Sequence, residues 1–275
     1  MTVEVAPAKI NLALHVRHRR PDGYHELETL FAFAADGDTV TVVPAEEDRF
    51  TITGPFADAL DAASDNLVTQ AARAFRVTFG IDGHYAITLD KHLPIASGIG
   101  GGSADAAATL RALARLHGVA CEDPRLFVIA ETLGADVPAC LLGRTTLGTG
   151  KGEALLPLHG LAGTPLLLVN PGVAVGTGAV FARWDGEDRG GIAADGDLLA
   201  RAIAGRNDLQ APALAIAPVI GDVLALLDAA DGVLLTRMSG SGATCFALFE
   251  SVSARDETAA AISTRGWWTL TTILT

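Results

Sequence analysis

A glycine-rich segment, residues 97–103, constrains the fold of this 275-residue chain more than any other feature, because it holds four glycines in seven positions. An apolar, strand-like stretch (residues 87–89) precedes it, and apolar residues at helical spacing from Ala106 to His117 follow it. Glycine lets the backbone approach a ligand closely, and the first-turn N–H groups of a helix favour phosphate. A tight strand-to-helix turn without a ligand is the alternative. The number of glycines favours a phosphate cradle, with Ser103 as the helix N-cap.

The spacing of these glycines excludes the two commonest phosphate-binding motifs. No Lys-Ser/Thr pair follows them, as a Walker A loop requires, and the Gly-x-Gly-x-x-Gly pattern of dinucleotide-binding folds fails at Ser103. With 32 acidic and 20 basic residues, the formal net charge is -12. Such a chain has no overall attraction for nucleic acid or an anionic membrane, so an anionic ligand must be held locally by backbone N–H groups or a few cations.

The composition indicates a globular protein. Hydrophobic residues make up 49% and charged residues 19%, far from the composition of disordered chains. Cys121, Cys140 and Cys245 are an odd number without a CxxC pair, which predicts neither a disulfide framework nor a zinc site. No run of about 18 uncharged apolar residues occurs. We expect a cytoplasmic protein without a membrane partner.

Two domains are expected, residues 1–157 and residues 158–275. Residues 10–16 alternate between apolar and polar, which predicts a strand with one buried face and with Lys9 and Asn11 together on the other face. The chain becomes rich in glycine and threonine before residue 157 and starts again with a strand-like stretch, and this change marks the boundary.

Capping signals predict several helices. One begins after a cap at Ser64 or Asp65, a second begins at Asp123, and a short third begins near Asp136. Residues 185–197 are charged and glycine-rich and have no periodicity, which is typical of an exposed loop.

Four polar or aromatic residues are candidates for chemistry, each with a structural alternative. Lys9 is either a solvated strand lysine or a point charge for a phosphate or hydroxyl. Asp136 is by pattern an N-cap, although a kinase needs such a carboxylate to orient the acceptor hydroxyl and take its proton. Tyr24 and His25 either stack on a base and bond its edge, or cover the core beside a turn.

Two further patterns remain open or weak. Residues 239–242 form a second glycine segment, which is either another phosphate cradle or a hairpin bend. His15 and His18 have H-x-x-H spacing, but on a strand this spacing places them on opposite faces, so a metal site is not expected.

Three separated motifs resemble those of the GHMP kinase superfamily, and the resemblance spans nearly the whole chain. They are Pro7-Ala8-Lys9-Ile10-Asn11-Leu12 with Asp22-Gly23-Tyr24-His25-Glu26-Leu27, then Leu93-Pro94 with Gly98-Ile99-Gly100-Gly101-Gly102-Ser103-Ala104-Asp105-Ala106-Ala107, and then Ser239-Gly240-Ser241-Gly242-Ala243-Thr244-Cys245-Phe246. The first block is similar to the branch of this superfamily that phosphorylates a cytidine-diphosphate-linked alcohol in the non-mevalonate route to isoprenoids.

The resemblance implies a fold and a reaction. The fold would be α+β in two domains, an N-terminal half like domain 2 of ribosomal protein S5 and an α+β C-terminal half, with the site between them. The reaction would transfer the γ-phosphate of ATP, with Mg²⁺, to a hydroxyl of a small-molecule cytidine diphosphate substrate. Ser103 is the one weak candidate for a Mg²⁺ ligand. The catalytic Lys9 comes too early for a plastid transit segment, so we expect a bacterial cytoplasmic enzyme, monomeric or homodimeric, without nucleic acid.

The resemblance also assigns site residues. Lys9 and Asp136 fall on the catalytic pair. Asn11, Tyr24, His25 and Phe181 fall on substrate-binding positions, two of the rings holding the cytosine while His25 reads its edge. The ATP-binding positions are Asn66, Lys91, Pro94, Ile95, Ala96, Ser97, Gly98, Ile99, Gly100, Gly101, Gly102, Ser103 and Ala104.

Five positions depart from the pattern of the family, and none belongs to the catalytic pair. Ala96 and Ser97 replace frequent glycines, Ala104 replaces a serine, Lys151 replaces an arginine, and Gln210 replaces an acid. These changes concern the affinity for ATP and the contacts of the second domain rather than the reaction. The alternatives are a sister kinase acting on mevalonate, homoserine or a sugar, and a non-enzymatic nucleotide-binding sensor.

Overall fold

A computed structural model describes residues 1–60, 62 and 65–275 of the chain, so the predicted cap at Ser64 lies outside the described residues. The chain divides into two compact units, each made of several segments. The first comprises Met1–Ala8, Asp36–Ile95 and Gly100–Gly143, and the second comprises Lys9–Ala35, Ala96–Ile99 and Arg144–Thr275. The boundary falls within the long strands β1 (Thr2–Arg19) and β2 (His25–Ala45). A division into domains at residue 157 stays a proposal.

In the first unit, helices accompany a short run of strands. Residues 39–45 of β2 pair antiparallel with β4 (His84–Asp90), and β3 (Arg49–Thr53) pairs parallel with β4. Helix–helix contacts are made by α1 (Leu67–Phe79), α2 (Gly101–Leu116), α3 (Pro124–Leu133) and α4 (Val137–Leu142). Helix α2 buries ten of its residues, most of them alanines, and small side chains allow close helix packing of this kind.

Two of these helices begin at residues that differ from the predicted caps. Helix α1 is capped by Asn66, whose side chain accepts hydrogen bonds from Val68 N and Thr69 N, so the predicted cap at Asp65 was wrong by one residue. Helix α2 has Gly100 as its N-cap, with φ +67°, and Ser103 lies inside its first turn rather than at the cap. A left-handed φ at this position favours glycine over serine, which explains why the chain turns into the helix three residues earlier than predicted.

The second unit contains a four-stranded antiparallel sheet in the order β10-β7-β9-β8. Its strands are β7 (Pro165–Asn170), β8 (Val233–Met238), β9 (Cys245–Phe249) and β10 (Trp268–Ile273). All five residues of β9 are buried. Residues 27–31 of β2 pair with β5 (Thr146–Gly150), which pairs with β6 (Ala154–Pro157). The helices are α5 (Thr177–Phe181), α6 (Leu198–Ala204), α7 (Gln210–Ile216), α8 (Val219–Asp228) and α9 (Val252–Ile262).

The expected α+β class is confirmed, and the segment 185–197 contains no helix or strand, as predicted. The helices α5 and α7 and the strands β5, β6, β8 and β10 were not predicted from the sequence. Within the described ranges, no helix is long and apolar enough to cross a lipid bilayer.

Candidate active site

The glycine-rich segment is built to let backbone approach backbone. Gly98 has φ +80°, and a Cβ at this position would lie 2.4 Å from Ser239 O and 2.9 Å from Gly242 N. The Ser239 hydroxyl donates to Gly98 O at 2.9 Å, and Thr244 N donates to Ser97 O at 3.1 Å. The second glycine segment, which connects β8 and β9, therefore packs directly against the backbone of the first one. This geometry agrees with the hairpin-bend interpretation of residues 239–242.

Helix α2 starts directly after this segment and presents the N-terminus of a 16-residue helix. The first intrahelical bond joins Ala104 N to Gly100 O at 2.8 Å. The amides of Gly101, Gly102 and Ser103 precede that bond and so have no acceptor within the helix. Helix N-termini of this kind carry a partial positive charge and bind phosphate groups. The local geometry therefore suits the phosphate cradle predicted from the sequence.

Lys9 lies on β1 in the second unit and is only 3% exposed, which excludes the interpretation of a solvated strand lysine. Its Nζ donates to Asn11 Oδ1 at 2.9 Å and lies 5.4 Å from the centre of the Phe31 ring. The Asn11 amide in turn donates to Thr29 Oγ1 at 2.7 Å, and that hydroxyl donates to Ala13 O at 2.8 Å. A buried ammonium needs hydrogen-bond partners, and Asn11 supplies one of them. The role of Lys9 as a point charge for a phosphate or hydroxyl stays a prediction.

Asp136 occupies the N-cap position of α4 in the first unit, but its side chain makes no capping hydrogen bond. The prediction that it serves as a cap is therefore wrong in chemical terms, although the helix begins where the pattern placed it. Asp123, at the corresponding position of α3, does cap its helix by accepting from Arg125 N at 2.9 Å. Helix capping does not account for Asp136.

Lys91 is buried in an ion triad rather than directed to solvent. Its Nζ donates to Asp38 Oδ2 at 2.5 Å and to Asp105 Oδ2 at 2.7 Å, and all three side chains are at most 3% exposed. A Cβ at Gly101 would lie 3.1 Å from this Nζ. The second oxygen of Asp38 accepts from the backbone N–H of His92 at 2.6 Å. The triad thus connects the end of β4, which precedes the glycine-rich segment in the chain, to the first turns of α2, which follows that segment.

The electrostatics of the triad follow from two carboxylates sharing one ammonium. Burial raises the pKa of Asp105 to about 7, with Asp38 adding to the upward shift and Lys91 opposing it. For Lys91, burial alone lowers the pKa, but the two carboxylates outweigh burial and the net shift is upward. The second oxygen of Asp105 is buried without a hydrogen-bond partner among the described residues. Sequence reasoning missed Asp38 and Asp105, although a lone carboxylate in an alanine-rich helix was a signal.

Aromatic rings of the second unit gather near the start of β2. The Phe181 ring, at the end of α5, stacks on His25 with centroids 4.8 Å apart, and Trp184 meets His25 edge-on at 5.6 Å. Tyr24 is 56% exposed, and Lys151 Nζ lies 4.9 Å from its ring centre. His25 thus covers a face of Phe181, while Tyr24 pairs with a cation. Burial lowers the pKa of His25, with Arg19 adding to the shift, so the ring is neutral at neutral pH.

Two other candidates have structural roles. Asn66 was assigned to ATP, and it completes a capping box on α1 with Thr69. His15 is buried, its ring bonded to Gly190 O and Arg206 N. In the parts of the chain that the structure describes, no group of three or more His, Cys, Asp or Glu side chains could hold a metal ion.

Two family models match the chain. They are described as the GHMP kinases N terminal domain, over residues 66–144, and the GHMP kinases C terminal, over residues 192–266. The chain belongs to the GHMP kinase family, and it is therefore an ATP-dependent small-molecule kinase.

Individual relatives indicate which kinases within the GHMP family this chain resembles. Over 98% of its length the chain is 56% identical to the 4-diphosphocytidyl-2-C-methyl-D-erythritol kinase of Rhizorhabdus wittichii, covering 94% of that protein. It is 51% identical to the kinase of the same name from Novosphingobium aromaticivorans, covering 97% of this chain and 90% of the relative. A crystal structure of 4-(cytidine 5'-diphospho)-2C-methyl-D-erythritol kinase superposes with a TM-score of 0.81 at 36% identity, over 99% and 98% of the two chains. A homoserine kinase from Cytophaga hutchinsonii matches with a TM-score of 0.72 at 20% identity, over 100% and 95% of the chains, and shows the fold alone.

Proposed function

We propose that this protein transfers the γ-phosphate of ATP to the 2-hydroxyl of 4-diphosphocytidyl-2-C-methyl-D-erythritol, a step of the non-mevalonate isoprenoid pathway. The observation that carries the proposal is 56% identity, over 98% of the chain, to a relative named for that substrate. The buried Lys9, the cradle geometry at Gly100 and the ring pair of His25 and Phe181 support it.

The reaction assigns a role to each part of the site. The acceptor oxygen bonds to the γ-phosphorus, the bond from that phosphorus to the bridging oxygen breaks, and ADP leaves with the electron pair. Asp136 orients the acceptor hydroxyl and takes its proton, and Lys9 balances the charge that forms. Asn11 holds Lys9 through the 2.9 Å hydrogen bond and contacts the substrate.

The nucleotide is assigned to the glycine-rich segment. The phosphates of ATP would accept hydrogen bonds from the amides at the start of α2. Further ATP-binding positions in this proposal are Asn66, Lys91 and the segment from Pro94 to Ala104. Because Lys91 is buried in its triad, its part in ATP binding is to hold the segment in shape.

Mg²⁺ would neutralise charge on the phosphates when it is bound. Oxygen donors suit this ion, which in kinases binds mainly to substrate phosphates together with one or two protein groups. The described residues offer no closed cage of their own, which fits an ion that enters with the nucleotide. The hydroxyl of Ser103, in the first turn of α2, is the candidate protein ligand.

The cytidine end is assigned to the aromatic cluster. Tyr24, His25 and Phe181 would hold the cytosine, by stacking and by hydrogen bonds from a neutral imidazole. A kinase acting on mevalonate, homoserine or a simple sugar has no need of such a cluster, and a sensor has no need of a buried lysine beside an acceptor site.

A coupled assay of ADP release tests the proposal. The purified chain is mixed with ATP, Mg²⁺ and the cytidine substrate, and in parallel with homoserine or mevalonate in place of that substrate. Turnover with the cytidine substrate alone is expected. Turnover with another acceptor would assign a sister kinase activity, and ATP binding without ADP release from any acceptor would favour the sensor. Phe181→Ala is expected to raise KM for the cytidine substrate with little effect on KM for ATP, because stacking is made in the ground state.

A further inference from the structure

The segment after α5, residues 184–192, has no regular secondary structure, yet it is firmly attached within the second unit. We call it the strap. Its Ile192 N donates to Glu28 Oε2 at 2.8 Å, and Gly190 O accepts from the ring of the buried His15 at 3.1 Å. Arg17 Nε donates to Asp188 Oδ1 at 2.8 Å. Loops of this composition are usually mobile, so this many attachments need an explanation.

The attachments do not contribute equally. The ion pair of Arg17 with Asp188 is partly exposed and is expected to contribute little. Glu28 is better placed, because one of its oxygens pairs with Arg17 and the other accepts from the strap backbone. His15 is buried, and its Nε2 accepts from Arg206 N at 3.1 Å while Nδ1 faces the carbonyl of Gly190. A carbonyl can only accept, so the proton of the neutral ring is on Nδ1.

At Gly191 the strap backbone lies close to two side chains of the strands β1 and β2. A Cβ at Gly191 would lie 2.6 Å from Glu28 Oε2 and 2.8 Å from Arg17 Nη1. Its backbone is not in the left-handed region, so a side chain here would not strain the backbone. It would instead push the ends of the Glu28 and Arg17 side chains out of their present positions. The fit of backbone against carboxylate is therefore close at this point.

Strand β2 contacts the segment from Phe181 to Ile192 near both of its ends. His25 contacts the rings of Phe181 and Trp184, and three residues later Glu28 binds Ile192 N. Phe181 at the end of α5 and Trp184 at the start of the strap are therefore held between α5 and the attachment of Ile192 to Glu28. The Trp184 Nε1 atom is buried without a hydrogen-bond partner among the described residues, so packing alone orients this ring.

We infer that the strap is a positioning element for the nucleobase of the substrate, and that Glu28 and Gly191 act through it on the rings of Phe181 and Trp184. This inference rests on the proposed function. Because stacking on a base requires a set ring orientation, a loosened strap would weaken binding of the cytidine substrate before any chemistry occurs. The phosphate cradle lies in other segments, so ATP binding would not change.

Steady-state kinetics of two variants test the inference. Gly191→Ala places a methyl group against Glu28, and Glu28→Gln removes the charge that holds Arg17 with almost no change of shape. For Gly191→Ala we expect KM for the cytidine substrate to rise about tenfold, and for Glu28→Gln about threefold, with kcat and KM for ATP changed less than about twofold. The control is Glu187→Gln, which changes an exposed strap carboxylate paired with Arg189, and it should leave all constants unchanged.

Two further measurements separate positioning from a general loss of structure. In a Phe181→Ala background, Gly191→Ala should add little to the rise in KM, because the strap acts through that ring. Hydrogen exchange of the backbone amides of residues 190–192 should become faster in Gly191→Ala and Glu28→Gln and remain slow in Glu187→Gln.

The inference is overturned if exchange at the strap quickens while KM for the cytidine substrate stays at the wild-type value, or if KM for ATP rises in parallel. If Gly191→Ala does not fold, Glu28→Gln and the exchange data decide alone. If the wild-type chain does not phosphorylate the cytidine substrate, the proposed function fails. Binding of that substrate, measured by calorimetry in the same variants, then decides the inference, and an affinity equal to the wild-type value overturns it.

Discussion

The Lys9 ammonium donates a 2.9 Å hydrogen bond to Oδ1 of Asn11, the second residue after it on strand β1. Residues two apart on a strand share a face, which is why the sequence places these groups together. The orientation of the Asn11 amide is set by Thr29, whose hydroxyl donates to Ala13 O and so offers a lone pair to Asn11 Nδ2. The amide oxygen is left to face the ammonium. The buried Thr29 hydroxyl therefore orients the Asn11 oxygen that accepts the hydrogen bond from Lys9.

Replacing Thr29 with valine should test whether its hydroxyl orients Asn11 toward Lys9. The variant keeps the size of the side chain and removes the acceptor of the buried Asn11 amide, which is expected to cost about 1–3 kcal/mol of unfolding free energy. A freed amide also holds Lys9 less well, so kcat should fall about tenfold with little change in KM for ATP. Urea unfolding and steady-state kinetics measure both effects. The control is Thr51→Val, because Thr51 is an exposed threonine on β3. Equal stability of the two variants would contradict the role of the Thr29 hydroxyl as the acceptor for Asn11.

Asp136→Asn is expected to abolish turnover while leaving ATP binding nearly intact. The amide keeps the shape of the carboxylate but cannot accept the proton of the acceptor hydroxyl. Lys9→Ala should be similarly damaging. ADP release and calorimetric titration with ATP measure the two properties. Asp123→Asn is the matched control, because Asp123 caps the neighbouring helix α3 and asparagine caps equally well. A normal rate in Asp136→Asn would contradict the assignment of the base.

Local signals predicted many of the helices and strands, because such signals depend only on neighbours in sequence. The Asp123-Pro124 start of α3 and the loop at residues 185–197 appear in the structure as expected. Residues 10–16 form a strand as predicted, but the prediction of one buried face was wrong, because residues 8–16 are buried on both faces. The start of α2 was placed at Ser103 because a serine before an alanine-rich run is typical of an N-cap. The left-handed conformation of Gly100 decided otherwise, and a run of three glycines does not indicate which of them adopts it.

Contacts between distant residues could not be predicted in the same way. Lys91 is separated from Asp38 by 53 residues and from Asp105 by 14, and only the folded first unit brings the three together. The resemblance assigned Lys91 to ATP binding, and nothing in the sequence indicated burial of its charge. The same holds for Glu28 and Ile192, 164 residues apart, whose contact no local pattern indicates.

Asp105→Asn should change how stability depends on pH. Because the pKa of Asp105 is raised to about 7 from its ordinary value of 3.8, the folded state binds more protons than the unfolded state between these values. Its favourable contribution is complete below the unfolded pKa and is lost as pH rises through the folded pKa. Asparagine does not titrate, so the stability of the variant relative to the wild type should rise between about pH 5 and about pH 8.

Urea unfolding of the wild type and Asp105→Asn at both pH values measures this difference. Glu187→Gln removes an exposed carboxylate and serves as the control, with a much smaller dependence expected. A difference between Asp105→Asn and the wild type that is constant with pH, or that falls as pH rises, would contradict a raised pKa in the triad.

His15 gives the opposite dependence. Burial lowers its pKa below 6.5 and the positive charge of Arg206 adds to this, while the bond to Gly190 and the charges of Asp208 and Glu28 oppose it. Between the folded and unfolded pKa values the unfolded state binds more protons, so the contribution of His15 is complete above 6.5 and is lost as pH falls. Protonation would also place a second N–H against Arg206 N, which now donates to Nε2 at 3.1 Å.

The variant that tests this is His15→Asn, whose amide nitrogen lies near the position of Nδ1 and does not titrate. The wild type should be the more stable protein at about pH 7.5, and its advantage should shrink by about pH 5.5, because only the wild type must then give up a proton on folding. All other titrating groups are shared, so they cancel in the difference. As pH falls over the same interval, hydrogen exchange of the backbone amides of residues 190–192 in the wild type should become faster relative to their intrinsic exchange rate. An advantage that is constant or grows towards low pH would show that His15 does not hold the strap in its neutral form.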